Sequence, residues 1–219
     1  MRCRNSWRVP LRAFFAKQNP EARPTMSGVF CWCEVRYHSC MMETERLILR
    51  RFTLNDVDAA WEMNRDPEVR KYILGEGEPS REHVRQLIEQ NTLADYEKHG
   101  YGRLAIVHKA DNRFIGFTGL KFLEDMQEVD VGYRLMPAWW GQGLATEATR
   151  PTVDYGFQEL GLRRVIAMAL PQNLASIRVM EQLGLGYWKE IVEDNHPVVV
   201  YKLEREGWEV EFGNRSSEI

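Results

Sequence analysis

Trp140-Gly141-Gln142-Gly143-Leu144-Ala145-Thr146 stands between a predicted strand and a predicted helix. Two glycines there permit backbone angles closed to other residues and let the chain come close to a ligand. The first amides of a helix have no intrahelical partner and point outward at the positive end of the macrodipole. A phosphate or pyrophosphate is a natural guest for such a turn, and the Thr146 hydroxyl could donate to one of its oxygens. A plain tight turn that caps a helix would use the same residues. The spacing is neither Gly-x-Gly-x-x-Gly nor the longer pattern ending in Gly-Lys-Ser/Thr, which disfavours dinucleotides and nucleoside triphosphates. Just upstream, Glu128 and Asp130 sit two apart on a strand, so both project from one face. A carboxylate in that position could take a proton from a bound group, directly or through water. The solvent face of an antiparallel strand is the plainer reading of either residue alone. His196, near the start of the last predicted strand, is a further base candidate with a suitable ordinary pKa.

The elements that must position these residues follow from periodicity and breakers. Thr44–Phe52 alternates Leu47 and Leu49 with Arg46 and Arg50, as a half-buried strand does. Asn55 is the expected N-cap of a helix running to about Arg65, stopped by Asp66–Pro67. A loop over Gly75–Pro79 leads to Ser80, which opens a second amphipathic helix carrying Val84, Leu87, Ile88 and Leu93. His99–Gly100 closes it. Strands at Tyr101–His108 and Arg113–Phe122 are joined by a polar turn suited to a hairpin, and Glu128–Met136 makes a third. Leu144–Leu160 reads as a helix in which Pro151 should make a kink or end the first part. Arg164–Leu170 is an apolar strand, Ala175–Leu183 a helix stopped by Gly184, and Leu185–Glu193 and Pro197–Leu203 are the last strands. The order is β-α-α-β-β-β-α-β-α-β-β. The unit from Glu128 to Leu170 should hold its two strands parallel, with a right-handed crossover.

The 219 residues suffice for one domain with a sizeable core, and 44% apolar with 28% charged residues is ordinary for a globular chain. A formal net charge of −3 gives no general pull towards nucleic acid or membrane. No apolar run is long enough to cross a bilayer. Residues 1–40 differ from the rest: seven basic residues against two acidic ones, and all four cysteines (Cys3, Cys31, Cys33, Cys40). A basic targeting peptide, a small metal site from Cys31, Cys33, His38 and Cys40, and an extension outside the fold with Met41 or Met42 as the working start are the three readings. The cysteine spacing departs from ordinary zinc patterns, so the extension is preferred and no metal is expected. The division is therefore 1–40 as extension and 41–219 as domain. A body without cysteine fits a reducing cytoplasm.

Val131-Gly132-Tyr133-Arg134-Leu135-Met136-Pro137 with Trp139-Trp140-Gly141-Gln142-Gly143-Leu144-Ala145-Thr146-Glu147-Ala148 resembles motif A of the GNAT acetyltransferases. Asn173-Leu174-Ala175-Ser176 with Leu183-Gly184-Leu185-Gly186-Tyr187 resembles their motif B. Thr44-Glu45-Arg46-Leu47-Ile48-Leu49-Arg50 and the stretch from Tyr201-Lys202-Leu203 to Gly207-Trp208 are similar to the branch that includes ribosomal-protein Nα-acetyltransferases. The likeness spans about Thr44 to Trp208. It implies an α/β (α+β) fold with a mixed, mostly antiparallel seven-stranded sheet flanked by helices. It also implies acetyl-CoA as co-substrate and an amine as acceptor, either a protein N-terminus or a small amine.

Carried onto this chain, the resemblance assigns the CoA pyrophosphate to Gly141, Gln142, Gly143, Leu144, Ala145 and Thr146. It assigns pantetheine to the strand edge at Tyr133–Met136, with the Leu135 amide near the acetyl carbonyl and Met136 beside it. Asn173 and Ser176 should face the cofactor arm, and the strands at Glu128–Met136 and Arg164–Leu170 should splay into a cleft. Many relatives carry a tyrosine acid seven residues after the Asn173 position; here that position is Met180, and Ser176 is the substitute donor to the departing sulfur. Capping of its helix is the equally weighted alternative for Ser176. Direct attack is expected, with Glu128 or Asp130 as base. Trp139 and Trp140 are read as packing, or as one wall of the acceptor cleft. The acidic Glu76, Glu78 and Glu82 could favour a cationic acceptor, although a solvated surface explains them too. A monomer or homodimer is expected. Two other functions stay open: an acyl-CoA-binding sensor without turnover, and a phosphate-binding α/β domain of another family.

Overall fold

The computed structural model describes residues 42–73 and 77–212. The expectations for residues 1–40, for Met41 and for Gly75 and Glu76 lie outside the described residues. Within them one sheet of eight strands organises everything. In chain order these are β1 (Met42–Glu43), β2 (Leu47–Arg51), β3 (Arg103–His108), β4 (Arg113–Leu123), β5 (Glu128–Leu135), β6 (Arg164–Ala169), β7 (Gly186–Glu193) and β8 (His196–Glu204). They lie side by side as β1-β2-β3-β4-β5-β6-β8-β7, and every neighbouring pair is antiparallel except β5 with β6. The eighth strand beyond the expected seven is β1, whose two residues are too few to carry an alternation signal.

The helices are α1 (Val57–Arg65), α2 (Pro67–Arg70), α3 (Arg81–Leu87), α4 (Ala94–His99), α5 (Leu144–Gln158), α6 (Leu174–Gln182) and α7 (Arg205–Glu211). Strand alternation sends side chains to opposite faces, and the core divides accordingly. Val129 and Val131 of β5 pack with Val153 and Phe157 of α5, Met180 of α6 and Trp208 of α7. Ala105 of β3, on the other face, packs with Val57 and Ala60 of α1 and Val84 of α3. The parallel pair β5–β6 follows from the helical crossover between them, because two parallel neighbours cannot be joined by a tight turn.

Several boundaries moved. Asn55 is not a cap: Leu54–Asp56 forms a 3-10 turn ahead of α1, closed by a capping box between Thr53 and Asp56. Asp66 does not merely stop α1; its side chain accepts from the Glu68 amide and caps α2, with Pro67 at the first helical position. Ser80 caps α3 as expected, accepting from the His83 amide at 3.0 Å. A π-turn over Ile88–Leu93 separates α3 from α4, so the apolar stripe loses register and Leu87 is 42% exposed. Pro151 does not end α5, which runs 15 residues through it. The buried Thr149, Thr152 and Val153 around it keep both halves packed on the sheet, which offsets the one lost backbone bond.

Candidate active site

β5 and β6 share a single paired position, Asp130 with Ile166. Beyond it the two strands are no longer paired, and a wedge opens towards Leu135 and Ala169. The direction of each β5 amide follows from strand alternation. The Met136 amide bonds the Ile115 carbonyl of the neighbouring strand β4 at 2.9 Å, which fixes Met136 and its even-numbered companions towards β4. The amides of Tyr133 and Leu135 therefore face the wedge, while that of Met136 does not. The Leu135 carbonyl also points that way and accepts the Trp140 indole N–H at 2.7 Å.

At the head of the wedge lies the turn into α5. Gly141 and Gly143 both have left-handed backbones (φ 72° and 76°), and Gly143 is the N-cap. The first intrahelical bond of α5 runs from the Glu147 amide to the Gly143 carbonyl at 3.0 Å. The amides of Leu144, Ala145 and Thr146 precede it and point out of the helix end. A Cβ built at Gly141 meets nothing within 4 Å, so the space above the turn is open. These features suit a pyrophosphate. The Thr146 hydroxyl is directed elsewhere: it donates to Gln182 Oε1 of α6 at 2.7 Å.

A clamp that the sequence left unremarked fixes this turn. Glu147 accepts from the Thr44 hydroxyl (2.5 Å), the Arg46 amide (2.9 Å) and Arg46 Nε (2.7 Å). Arg46 Nη1 then donates to the Gln142 carbonyl at 3.1 Å. Burial alone would raise the Glu147 pKa, but these bonds outweigh it and hold the carboxyl below its ordinary range. The signal was present as Thr44-Glu45-Arg46 and Glu147, but which strand passes behind the loop is set by sheet order.

On the face covered by α5 and α6, Asn173 caps α6 through its side-chain oxygen and the Ser176 amide, 3.1 Å. The cap role weighed for Ser176 thus falls to Asn173. The Ser176 hydroxyl lies 3.0 Å from the Tyr133 hydroxyl, which also donates to the Ser176 carbonyl at 2.8 Å. Burial raises the Tyr133 pKa well above the ordinary tyrosine value, only partly offset by Ser176. Met180 is buried in the core.

The opposite face is built from arginines. Arg103 of β3 lies across Gly119 and Gly132 and pairs with Asp130 Oδ2. A Cβ at Gly132 would sit 2.6 Å from the guanidinium, so any larger residue there would push Arg103 out of this position. Glu128 is engaged at both oxygens by Arg164, at 2.6 and 3.2 Å. Asp130 Oδ1 has no partner among the described residues. Arg134 donates to Asn64 Oδ1 of α1 at 2.5 Å and lies over the Phe117 ring, 5.3 Å to its centre. His196 stands exposed at the β7–β8 turn, its Nδ1 on the Asp194 carbonyl, and is not brought to the wedge. Trp139 packs against the core beside His108, whereas Trp140 is 42% exposed. Glu78 is paired with Arg65 and Glu82 with Gln86, so both belong to the solvated surface.

A family model described as an acetyltransferase (GNAT) domain matches residues 46–186. The chain is 33% identical over 151 residues to the uncharacterized N-acetyltransferase YoaA of Bacillus subtilis, covering 68% of this chain and 84% of that protein. A GNAT-family acetyltransferase from Bacillus anthracis superposes with a TM-score of 0.64 at 29% identity, covering 76% of this chain and 99% of its own. The spermidine N-acetyltransferase of Vibrio cholerae, solved with CoA and spermine, superposes with a TM-score of 0.64 at 17% identity, covering 75% and 99%. At that identity the likeness is one of fold. No helix among the described residues is long and apolar enough to cross a membrane.

Proposed function

The chain belongs to the GNAT acetyltransferase family and moves an acetyl group from acetyl-CoA to an amine; from that premise we propose how its residues divide the work. The amides from Gln142 to Thr146 receive the pyrophosphate, and Arg46 with Glu147 keeps the turn in shape. Pantetheine enters the wedge along the free edge of β5. Of the two inward amides, that of Tyr133 lies deeper and meets the acetyl carbonyl, while Leu135 serves the arm above it. The resemblance alone had given Leu135 the first of these roles; depth in the wedge favours Tyr133.

The amine arrives through the other side of the sheet, where Asp130 offers Oδ1 for its proton while Arg103 holds Oδ2. Glu128, bound at both oxygens, is the poorer base. Nitrogen attacks the acetyl carbon, the developing oxyanion is held by a backbone amide, and the carbon–sulfur bond breaks. The Ser176 hydroxyl donates to the departing thiolate. Holding both substrates in one wedge supplies much of the acceleration. The acceptor is a primary amine of a protein N-terminus or of a small molecule.

One observation carries this reading: outward helix-terminal amides behind two left-handed glycines, at the mouth of the sheet's parallel pair. Thiol release from acetyl-CoA with peptides and small amines tests it. Turnover on an amine is the expected result. Tight CoA binding with no turnover on any acceptor would leave a sensor, and no CoA binding would remove the site altogether.

A further inference from the structure

Arg134 is the cation on β5 that the protein has left without an anion. It is half-buried between α1 and the Phe117 ring, and its one side-chain hydrogen bond among the described residues goes to a neutral amide, Asn64. Among the described residues no carboxylate pairs with it. Asp130 is committed to Arg103, whose guanidinium lies on the same face. Arg70 of α2 adds further positive charge and also has no ion pair among the described residues. Burial, with the like charges of Arg103 and Arg70, lowers the Arg134 pKa to about 10, so it remains a cation at neutral pH. A half-buried charge without a counter-charge has lost part of its hydration with nothing in return, and a ligand carboxylate would supply the missing partner.

Its place decides which ligand. Arg134 directly follows Tyr133, whose amide points into the wedge, and its side chain lies on the face away from Ser176 and α5. That is the side on which the amine must arrive if the cofactor arm occupies the Ser176 side. We propose that the acceptor is an amine that carries a carboxylate close to its nitrogen, and that Arg134 binds this carboxylate while the amine points to the acetyl group. A planar guanidinium suits such a group through paired N–H···O bonds. A polycation such as spermidine would meet Arg134, Arg103 and Arg70 with like charge and is rejected. This rests on the acetyl-transfer reading above and specifies its acceptor.

The test uses the full chain with acetyl-CoA and four sets of amines: free L-amino acids, the same amino acids as C-terminal amides, spermidine, and tetrapeptide amides beginning with Glu or Ala. The expected result is a free amino acid with kcat/KM on the order of 100-fold above its amide, with spermidine lowest. A Glu-initiated peptide preferred over its Ala counterpart would instead trace the carboxylate to an acidic N-terminal residue. Arg134→Gln should bring the carboxylate/amide ratio to about one through KM, with the Kd for acetyl-CoA unchanged, and Arg134→Lys should retain part of the preference. The same ratio read by calorimetry on the CoA-loaded protein does not require turnover. Carboxylates that bind there but are not acetylated would sink the transfer reading and the acceptor role with it, leaving Arg134 as a carboxylate-binding residue only. Amides or spermidine that equal the free acids in the wild-type protein, no binding by any set, or a preference that survives Arg134→Gln would overturn it.

Discussion

Ser176 can donate a hydrogen bond to a departing thiolate only if its hydroxyl hydrogen is free to leave the Tyr133 contact. Tyr133 has one hydrogen, and its 2.8 Å bond to the Ser176 carbonyl occupies it. In the 3.0 Å contact between the two hydroxyls the serine is then the donor, and rotation about its Cβ–Oγ bond can redirect that hydrogen to a thiolate. Ser176→Ala should therefore lower kcat by about 10- to 100-fold while calorimetry finds the acetyl-CoA affinity unchanged; equal turnover would return the residue to packing. Tyr133 stays a phenol across the working range because burial raises its pKa, so it adds no limb to the pH profile. Asp130→Asn should cut kcat/KM at pH 7 by about 10²-fold, with much of the loss recovered at alkaline pH as the free amine deprotonates in solution. A pH-independent loss would instead make Asp130 an anchor for Arg103. Sequence alone could mark Ser176, Asp130 and the missing acid at Met180, because each is a matter of residue type at a motif position. It could not tell Asp130 from Glu128. That difference lies in Arg103 reaching across two glycines and Arg164 gripping both oxygens, and both depend on which strands are neighbours.

At the scale of the element, the turn into α5 is held from behind by β2. Glu147 gathers Thr44 and Arg46, and Arg46 passes on to the Gln142 carbonyl. Because the Glu147 pKa is depressed in the folded protein, its contribution is present above the ordinary glutamate pKa of about 4.3 and fades as pH falls through the lower folded value. Glu147→Gln should cost about 1 kcal/mol in urea unfolding at pH 7, a modest figure because Arg46 is well exposed. The two proteins should converge only once pH has fallen below the depressed folded value. The same change should weaken acetyl-CoA binding at pH 7, since the loop loses its brace. Gly143→Glu acts at the turn itself: a left-handed φ of 76° strains any L residue, and the change adds negative charge to the loop that would receive the pyrophosphate, beside the Arg46 guanidinium that braces it. It should abolish acetyl-CoA binding with the circular dichroism spectrum retained; unchanged affinity in a titration would remove the cofactor assignment. The helix start at Ser80 and the stop at Gly184 were legible because caps and breakers are local chemistry, whereas the cap of α6 fell to Asn173 and not to Ser176. The π-turn at Ile88–Leu93, the two-residue β1 and the short α2 and α7 were not, since tertiary packing creates them without periodicity of their own.

The whole molecule turns one sheet into two approaches. α5, α6 and α7 cover one face and α1 and α3 the other, and the wedge between β5 and β6 is where the two faces communicate. The order of strands that makes this wedge was not readable from the chain, because periodicity reports which residues are buried and not which strand lies beside which. Once the order is known, the kinetic consequence follows. A thioester arriving on the Ser176 side and an amine arriving on the Arg134 side need not exclude one another, so both can be bound before any bond changes. The described residues contain no cysteine to hold the acetyl group between two half-reactions, and Ser176 is paired with Tyr133 rather than with a base that would activate it as a nucleophile. Initial-rate plots against both substrates should therefore intersect, as for a ternary complex. Mass spectrometry of the protein mixed with acetyl-CoA alone should find no mass increase of an acetyl group. Parallel lines together with an acetylated protein that passes its acetyl group to an added amine would refute direct transfer, and with it the division of the two substrates between the faces of the sheet.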